Sequence, residues 1–370
     1  MNLSYWEYKT WLTNVDFTIV GSGIVGLNCA LQLRKHYPTA KIIVLEKGML
    51  PQGASTKNAG FACFGSLSEI LDDLHTHSEA EVLQLVKRRC QGLQLLRETL
   101  GDAAIDYQGL GGYELFTAAD SELYANCLSK KDQINQLLFS VFDGNVFSEV
   151  PNTFQFEHIQ SNYIFNQFEG QIDTGKMMHA LLQKAVANNI QILNSISVDA
   201  FSETENAVHV QTNHLDFYTK KLLIATNGFA SQLLTEKVKP ARAQVLITKP
   251  ISNLHIKGTF HLDKGYYYFR NIDNRILFGG GRNLDFEGEE TTEFTQTELI
   301  QQKLEELLQT TILPNTKFEI EHRWSGIMGV GSQKKAIVKP LSDRVFCGVR
   351  LGGMGVAIGS LVGKELADLV

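Results

Sequence analysis

Six residues, Gly21-Ser22-Gly23-Ile24-Val25-Gly26, carry the spacing G-x-G-x-x-G. The chemistry this spacing serves is pyrophosphate binding. The first glycine admits a tight turn, the second lets backbone approach the phosphates, and the third lets helix and strand pack closely. Gly23, Ile24 and Val25 then open a helix whose free N–H groups and positive dipole end face the anion. Glu46 stands 20 residues after Gly26, with Lys47 beside it. An acid there accepts hydrogen bonds from ribose hydroxyls and repels a 2′-phosphate. The glycine pattern alone is weak evidence. Its placement after an apolar strand and before an amphipathic helix gives it weight. Either NAD or FAD satisfies these residues.

Two further stretches carry usable chemistry. Tyr266-Tyr267-Tyr268-Phe269-Arg270 reads as a strand on which Tyr266, Tyr268 and Arg270 share one face. Two phenols and one guanidinium on one face suit a small carboxylate. Gly352-Gly353-Met354-Gly355 sits at a strand-to-helix turn, so its N–H groups are available to an anion. The ten histidines have no metal-ligand spacing, and no metal is expected. His75 and His77, the closest pair, read as a solvated helix face.

The elements that must position these residues follow from periodicity. Residues 16–20 and 41–46 are apolar runs expected as buried strands, with a helix over 24–36 between them. A small-residue loop over 48–65 comes next, then one long helix over 68–100 and another over 120–138. Asp173 caps a helix presenting Met177, Met178, Leu181, Leu182, Ala185 and Val186. Strands are expected over 190–193, 196–198 and 222–226. Residues 244–280 read as antiparallel with a turn at Asp273-Asn274, residues 294–309 as a helix, and the last segment as strand, glycine turn and helix.

Composition sets the outer bounds. The chain has 370 residues, too many for one domain of roughly 150. It is 44% hydrophobic and 20% charged with a formal net charge of −6, and it lacks the basic patch of a nucleic-acid binder. Five cysteines without a Cys-x-x-Cys spacing argue against zinc and disulfides and for a reducing compartment, the cytoplasm. The first residues have no signal-peptide pattern, and no apolar run is long enough to span a membrane.

At the loop Gly53-Ala54-Ser55-Thr56-Lys57-Asn58-Ala59-Gly60-Phe61 the chain resembles the D-amino-acid oxidase-like FAD oxidoreductases. This group includes glycine, sarcosine and γ-glutamylputrescine oxidases and D-amino-acid dehydrogenases. The resemblance spans nearly the whole length. It implies that Ala54, Ser55, Thr56, Asn58, Ala59, Gly60 and Phe61 lie along the FAD pyrophosphate and ring system. It implies that backbone near Val198 holds the adenine and that Thr226, Asn227 and Gly228 close over the ribose. Residues 240–244 resemble the crossover into the substrate domain, and Gly352, Gly353, Met354 and Gly355 the C-terminal flavin loop. Ser4-Tyr5-Trp6 resembles the opening of the γ-glutamylputrescine branch.

The implied fold is α/β, a Rossmann-like FAD-binding domain with an inserted antiparallel-sheet α+β substrate domain. The FAD domain is expected over 1–75, 155–240 and 325–370, and the substrate domain over 76–154 and 241–324. The implied activity is oxidation of an amine or amino acid to an imine through FAD, with oxygen or an electron carrier as acceptor. A flavin-binding protein without amine turnover and an NAD-dependent dehydrogenase are the rival readings. The chain departs from the family pattern at Met328, where amino-acid oxidases hold a carboxylate-clamping arginine after a Trp-x-Gly segment. Arg323 and Arg350 are the nearest substitutes, and Cys63 and Cys347 the cysteines nearest the flavin motifs.

Overall fold

The computed structural model describes residues 3–370. Two eight-stranded sheets organise it. In the first, Val345–Val349, Asp216–Ile224, Val15–Val20, Ile42–Leu45 and Gln191–Leu193 lie side by side and parallel. The four residues Ile42–Leu45 are all buried, as a strand covered on both faces requires. Val198–Glu203 and Val208–Thr212 extend this sheet as an antiparallel pair on Asp216–Ile224. The expected strand at 196–198 therefore begins where it was expected to end. Ile196 instead packs into the apolar layer beneath the sheet.

The second sheet runs in the order Ile320–Val330, Lys239–Thr248, Arg275–Gly280, Tyr267–Ile272, Thr259–Leu262, Gly112–Leu115, Asn162–Asn166 and Phe147–Pro151. All its pairings are antiparallel except that of Thr259–Leu262 with Gly112–Leu115. Asn162–Asn166 and most of Ile320–Val330 join this sheet although they lie beyond the sequence boundaries at 154 and 324. The hairpin turn falls on Asp273 and Asn274, both with positive φ (47° and 58°), the two-residue turn whose twist matches its strands.

The helical layers differ in detail from expectation. The long helix over 68–100 is two helices, Leu67–Thr76 and Glu79–Leu100. Ser78 starts the second: its hydroxyl accepts from the Glu81 N–H while Glu81 accepts from Ser78. The helix expected from 294 begins at Glu298, because Thr297 and its backbone are held by the Gln244 amide.

The C-terminal helix Gly355–Ala367 lies between helices Ile24–His36 and Glu79–Leu100. Glycines allow this close approach. A Cβ on Gly363 would stand 2.5 Å from the Val25 carbonyl oxygen, and one on Gly92 would stand 2.2 Å from that of Ala357. The packing fixes where the N-terminal end of the C-terminal helix points, and so the Gly352–Gly355 loop. Gly363→Leu is expected to destabilise the protein by about 3 kcal/mol or more, because neither backbone can yield without opening the core. Urea unfolding monitored by circular dichroism measures it. An unchanged midpoint would mean the helices have room that these contacts deny.

Candidate active site

One cavity of about 950 Å³ runs along the seam between the two sheets. Its size falls at the upper end of small-molecule sites, roughly 300–1,000 Å³. At one end the glycine turn forms its wall through Gly21, Gly23, Ile24 and Val25. Gly21 has φ +105°, a backbone state that other residues rarely adopt. Gly26 stands behind the wall. A Cβ there would sit 1.9 Å from the Gly21 oxygen, so its glycine serves helix–strand packing, as its place in the motif predicts. Ser55 Oγ accepts from the Ile24 N–H at 2.9 Å, tying the 53–61 loop to the helix start.

Glu46 is buried at the end of its strand, and it lines the cavity together with Lys47 and Val198. Its carboxylate accepts from Ser22 N–H and Oγ at 3.1 and 2.6 Å and from Gly48 N–H at 3.0 Å. Thr226, Asn227 and Gly228 also form wall. Asn227 Oδ1 accepts from the Leu351 N–H at 3.1 Å and so joins this strand end to the C-terminal loop.

Of the 53–61 loop, Ala54, Ser55, Asn58, Ala59, Gly60 and Phe61 line the cavity. Thr56, expected with them, does not. Its hydroxyl turns to the Pro51 carbonyl at 2.7 Å. Asn58 fixes the loop from inside, donating to the Ala54 and Ser55 carbonyls and accepting from Gly60 N–H and Thr174 Oγ1.

Two arginines expected at the substrate end are committed elsewhere. Arg270 is buried and points away from the cavity, at the back of the loop. Its guanidinium donates to the carbonyls of Ala59, Ile172 and Asn271. Burial lowers its pKa to about 10, so it remains charged at neutral pH. Gly60 leaves it the space: a Cβ there would meet Arg270 Nη2 at 2.8 Å and the Ile172 oxygen at 2.3 Å. Arg270 is thus a brace between the sheet and the loop, and the expectation of a substrate clamp is corrected. Arg323 donates to Gln301 and Glu305 on helix Glu298–Leu307, on the far side of the sheet from the cavity. Arg350 is likewise occupied, donating to the Lys335 carbonyl. Cys347 is sealed in the core, whereas Cys63 lines the cavity, 3.9 Å from Met354 Sδ.

Tyr266 and Tyr268 do line the cavity, with Met328, Arg282 and Phe294. Tyr268 is flanked by the Phe61 ring, edge-on at 5.6 Å, and covers Gly279, whose Cβ would meet its ring at 2.7 Å. Burial pushes its hydroxyl pKa up to about 12, so it stays a neutral O–H.

Sequence reading missed a buried charged group at this end. His261 lines the cavity and pairs through Nε2 with Glu169 Oε2 at 2.9 Å. Cys63 Sγ, a Glu169 carboxylate oxygen and a His261 ring nitrogen all lie within 4.8 Å of one another. Burial pulls the His261 pKa down, but the charge and hydrogen bond of Glu169, aided by Glu69 and Glu114, outweigh it and hold the pKa at about 9. Burial pushes the Cys63 thiol well up. The three residues lie on three distant segments, so no local spacing marked them.

The walls fit a dinucleotide cofactor. Among the described residues Thr226 Oγ1 is buried without a hydrogen-bond partner, in a residue of the cavity wall where the resemblance puts a ribose. A Cβ on Gly352 or Gly355 would meet nothing within 4 Å, so the C-terminal loop presents open backbone to the cavity. Gly353 and Met354 line the same stretch.

The comparisons with known proteins agree with this geometry. Residues 16–369 match a family model described as FAD dependent oxidoreductase (DAO). No curated protein matches the sequence. Among solved structures the chain is similar to glycine oxidase from Geobacillus kaustophilus, with TM-score 0.76 and 18% identity over 96% of this chain and 94% of that one. It is similar to L-proline dehydrogenase from P. horikoshii, with TM-score 0.75 and 18% identity over 96% and 93%. Iminodiacetate oxidase from Chelativorans sp. BNC1 gives TM-score 0.77 and 16% identity over 95% and 94%. At these identities the likeness is one of fold. Among the described residues no helix is long and apolar enough to cross a membrane.

If Arg270 is the brace, Arg270→Ala leaves two buried carbonyls without donors and is expected to cost about 3 kcal/mol. Arg270→Lys should restore little of that, because one ammonium cannot reproduce the planar fork. Denaturant unfolding of the three proteins provides the measurement. Full stability of the alanine variant would contradict the brace.

Proposed function

This chain belongs to the DAO family of FAD-dependent oxidoreductases, and on that premise we propose that it oxidises an amine or amino acid to the corresponding imine. The observation that supports this most is the continuity of the cavity. It runs without a break from the glycine turn and Glu46 to Tyr266, Tyr268 and Phe294. Cofactor and small substrate therefore share one space. When bound, FAD supplies the hydride-accepting chemistry, and the protein supplies binding, orientation and electrostatics.

The chain's own residues divide that work by position. Gly21, Gly23 and the N–H of Val25 would receive the pyrophosphate, while Ser55 holds the Ile24 N–H. Glu46, Val198, Thr226 and Asn227 surround the adenosine half. In the Gly352–Gly355 loop the Gly352 and Met354 N–H groups donate to the Gly329 and Leu351 carbonyls. The N–H groups of Gly353 and Gly355, at the N-terminal end of helix Gly355–Ala367, are therefore the ones that would favour negative charge on a bound cofactor. Phe61, Tyr266 and Tyr268 form an aromatic wall that excludes water from the C–N bond being oxidised. Loss of hydride from carbon and of a proton from nitrogen leaves the imine, which water hydrolyses after release. The acceptor that completes the cycle is dioxygen or an electron carrier. The five free cysteines fit a reducing, cytoplasmic setting.

The purified protein is expected to show flavin bands near about 370 and 450 nm. Under anaerobic conditions one member of an amine and amino-acid panel should bleach them. A yellow protein that no member bleaches would favour flavin binding without amine turnover. Admitting air to the bleached sample separates the acceptors: rapid return of colour identifies dioxygen, and persistence identifies a carrier.

A further inference from the structure

We propose that His261, charged through Glu169, and the Tyr268 hydroxyl together anchor a carboxylate of the substrate, so that the substrate is an amino acid rather than a simple amine. This rests on the amine-oxidation reading above and narrows it.

The geometry begins with the sheet. His261 stands directly across from Tyr268 on one neighbouring strand and from Glu114 on the other. Cross-strand partners project to the same face. Tyr268 and His261 therefore meet the cavity side by side, on either side of the Phe61 ring, which is edge-on to both at 5.6 and 5.3 Å. Neither the Tyr268 hydroxyl nor His261 Nδ1 has a hydrogen-bond partner among the described residues, and neither atom is sealed from the cavity. Two adjacent donors, one of them cationic, are what a carboxylate requires.

The charge is built in. Glu169 is only 1% exposed, and besides His261 it accepts from Thr259 Oγ1 at 3.1 Å and Asn166 Nδ2 at 3.3 Å. Gly112 makes way for it: a Cβ there would stand 2.0 Å from Glu169 Oε2. A buried carboxylate with this many dedicated contacts is costly unless it holds a cation in place. The other ionisable groups facing His261 are Glu114, Glu69 and the Cys63 thiol. Glu114 accepts from Ser66 and Ser68, and burial raises its pKa.

Elimination points the same way. Among the described residues, the cations lining the cavity are Lys47, Lys57, His261, Lys264, Arg282 and Lys334. Lys47 belongs to the Glu46 end. Lys264 and Lys334 are held by Asp72 and Asp73 in ion pairs of 2.9 and 2.5 Å. Lys57 and Arg282 rest over the rings of Phe294 and Phe286, both of which are exposed. Of the six, His261 alone is buried beside the aromatic wall, where a charge-assisted hydrogen bond is least screened.

The test uses the FAD-loaded protein and acetate, with acetamide as the uncharged control. Acetate is expected to perturb the flavin spectrum while acetamide does not. In His261→Gln, which keeps a donor and loses the charge, the acetate Kd should rise about tenfold or more. Tyr268→Phe should raise it less. The imidazolium must be protonated, so acetate binding should hold at neutral pH and weaken as pH rises through about 9. Glu169→Gln removes the charge that raises the His261 pKa, so its binding should weaken already near neutral pH. Anaerobic bleaching provides the second readout. The amino acid should lose apparent affinity in His261→Gln, while the same skeleton without its carboxylate should not. Equal acetate affinity in wild type and His261→Gln would overturn the proposal, as would loss of acetate binding in Arg282→Ala alone. If wild-type protein is bleached equally by an amine with and without a carboxylate, amine oxidation stands and the anchor falls. If nothing bleaches it but acetate still binds through His261, the anchor stands and the turnover reading falls.

Discussion

The guanidinium of Arg270 holds the two halves of the molecule in register. It leaves the antiparallel sheet, crosses the seam and donates to the carbonyls of Ala59 and Ile172. Those carbonyls belong to the loop that forms the cavity's inner wall and to the segment leading into helix Thr174–Ala187. A cation satisfying backbone acceptors in a buried place is worth more than a neutral bond, and its loss leaves several groups unpaired at once. Gly60 exists as glycine at that point because both the Ile172 oxygen and Arg270 press against it. The contact sets the loop beside Phe61, whose ring meets His261 and Tyr268.

From that brace the cavity is assembled in two directions. Toward the parallel sheet, Ser55 reaches the helix start at Ile24, so the loop and the phosphate-binding turn move as one. Toward the antiparallel sheet, Phe61 meets His261 and Tyr268, cross-strand neighbours on adjacent strands. The third tie is Asn227, which binds the Leu351 N–H and brings the C-terminal loop to the same space. Each tie uses a side chain from one segment and a backbone or ring from another distant in sequence. A site of this kind forms only when both sheets have folded.

What was legible in the sequence is what depends on local backbone. The glycine turn, Glu46, the Asp273-Asn274 turn and the C-terminal glycine loop each require a particular conformation or spacing within a few residues, and each lies where the pattern put it. The helix break at Ser78 was also local, a Ser-x-x-Glu capping box overlooked within a long apolar stripe. What was not legible depends on which partner a side chain finds across the fold. Arg270 shares strand alternation with Tyr266 and Tyr268, yet a burial gradient along that strand sends its long side chain under the loop while the tyrosines stay in the cavity. Arg323 looked free because its partners, Gln301 and Glu305, lie 22 and 18 residues away on a helix whose packing against this strand no local spacing marks. His261 and Glu169 carried no signal at all. Ninety-two residues separate them, and they meet because Gly112–Leu115 pairs with Thr259–Leu262 on one side and with Asn162–Asn166 on the other.

The distribution of charge around the cavity follows from the same constraint. A group that must meet a polar ligand in a dry place has to be desolvated before the ligand arrives, and it persists only if the protein stabilises its charge meanwhile. Glu169 does this for His261, leaving Nδ1 without a hydrogen-bond partner among the described residues. Arg270 satisfies the opposite requirement, because its hydrogen-bond partners among the described residues are carbonyl oxygens. Two cations thus stand on adjoining strands of one sheet, one spent on architecture and one left with a donor to offer. Which is which is decided by partners: backbone carbonyls enclose the arginine, whereas a single buried carboxylate holds only one edge of the imidazole.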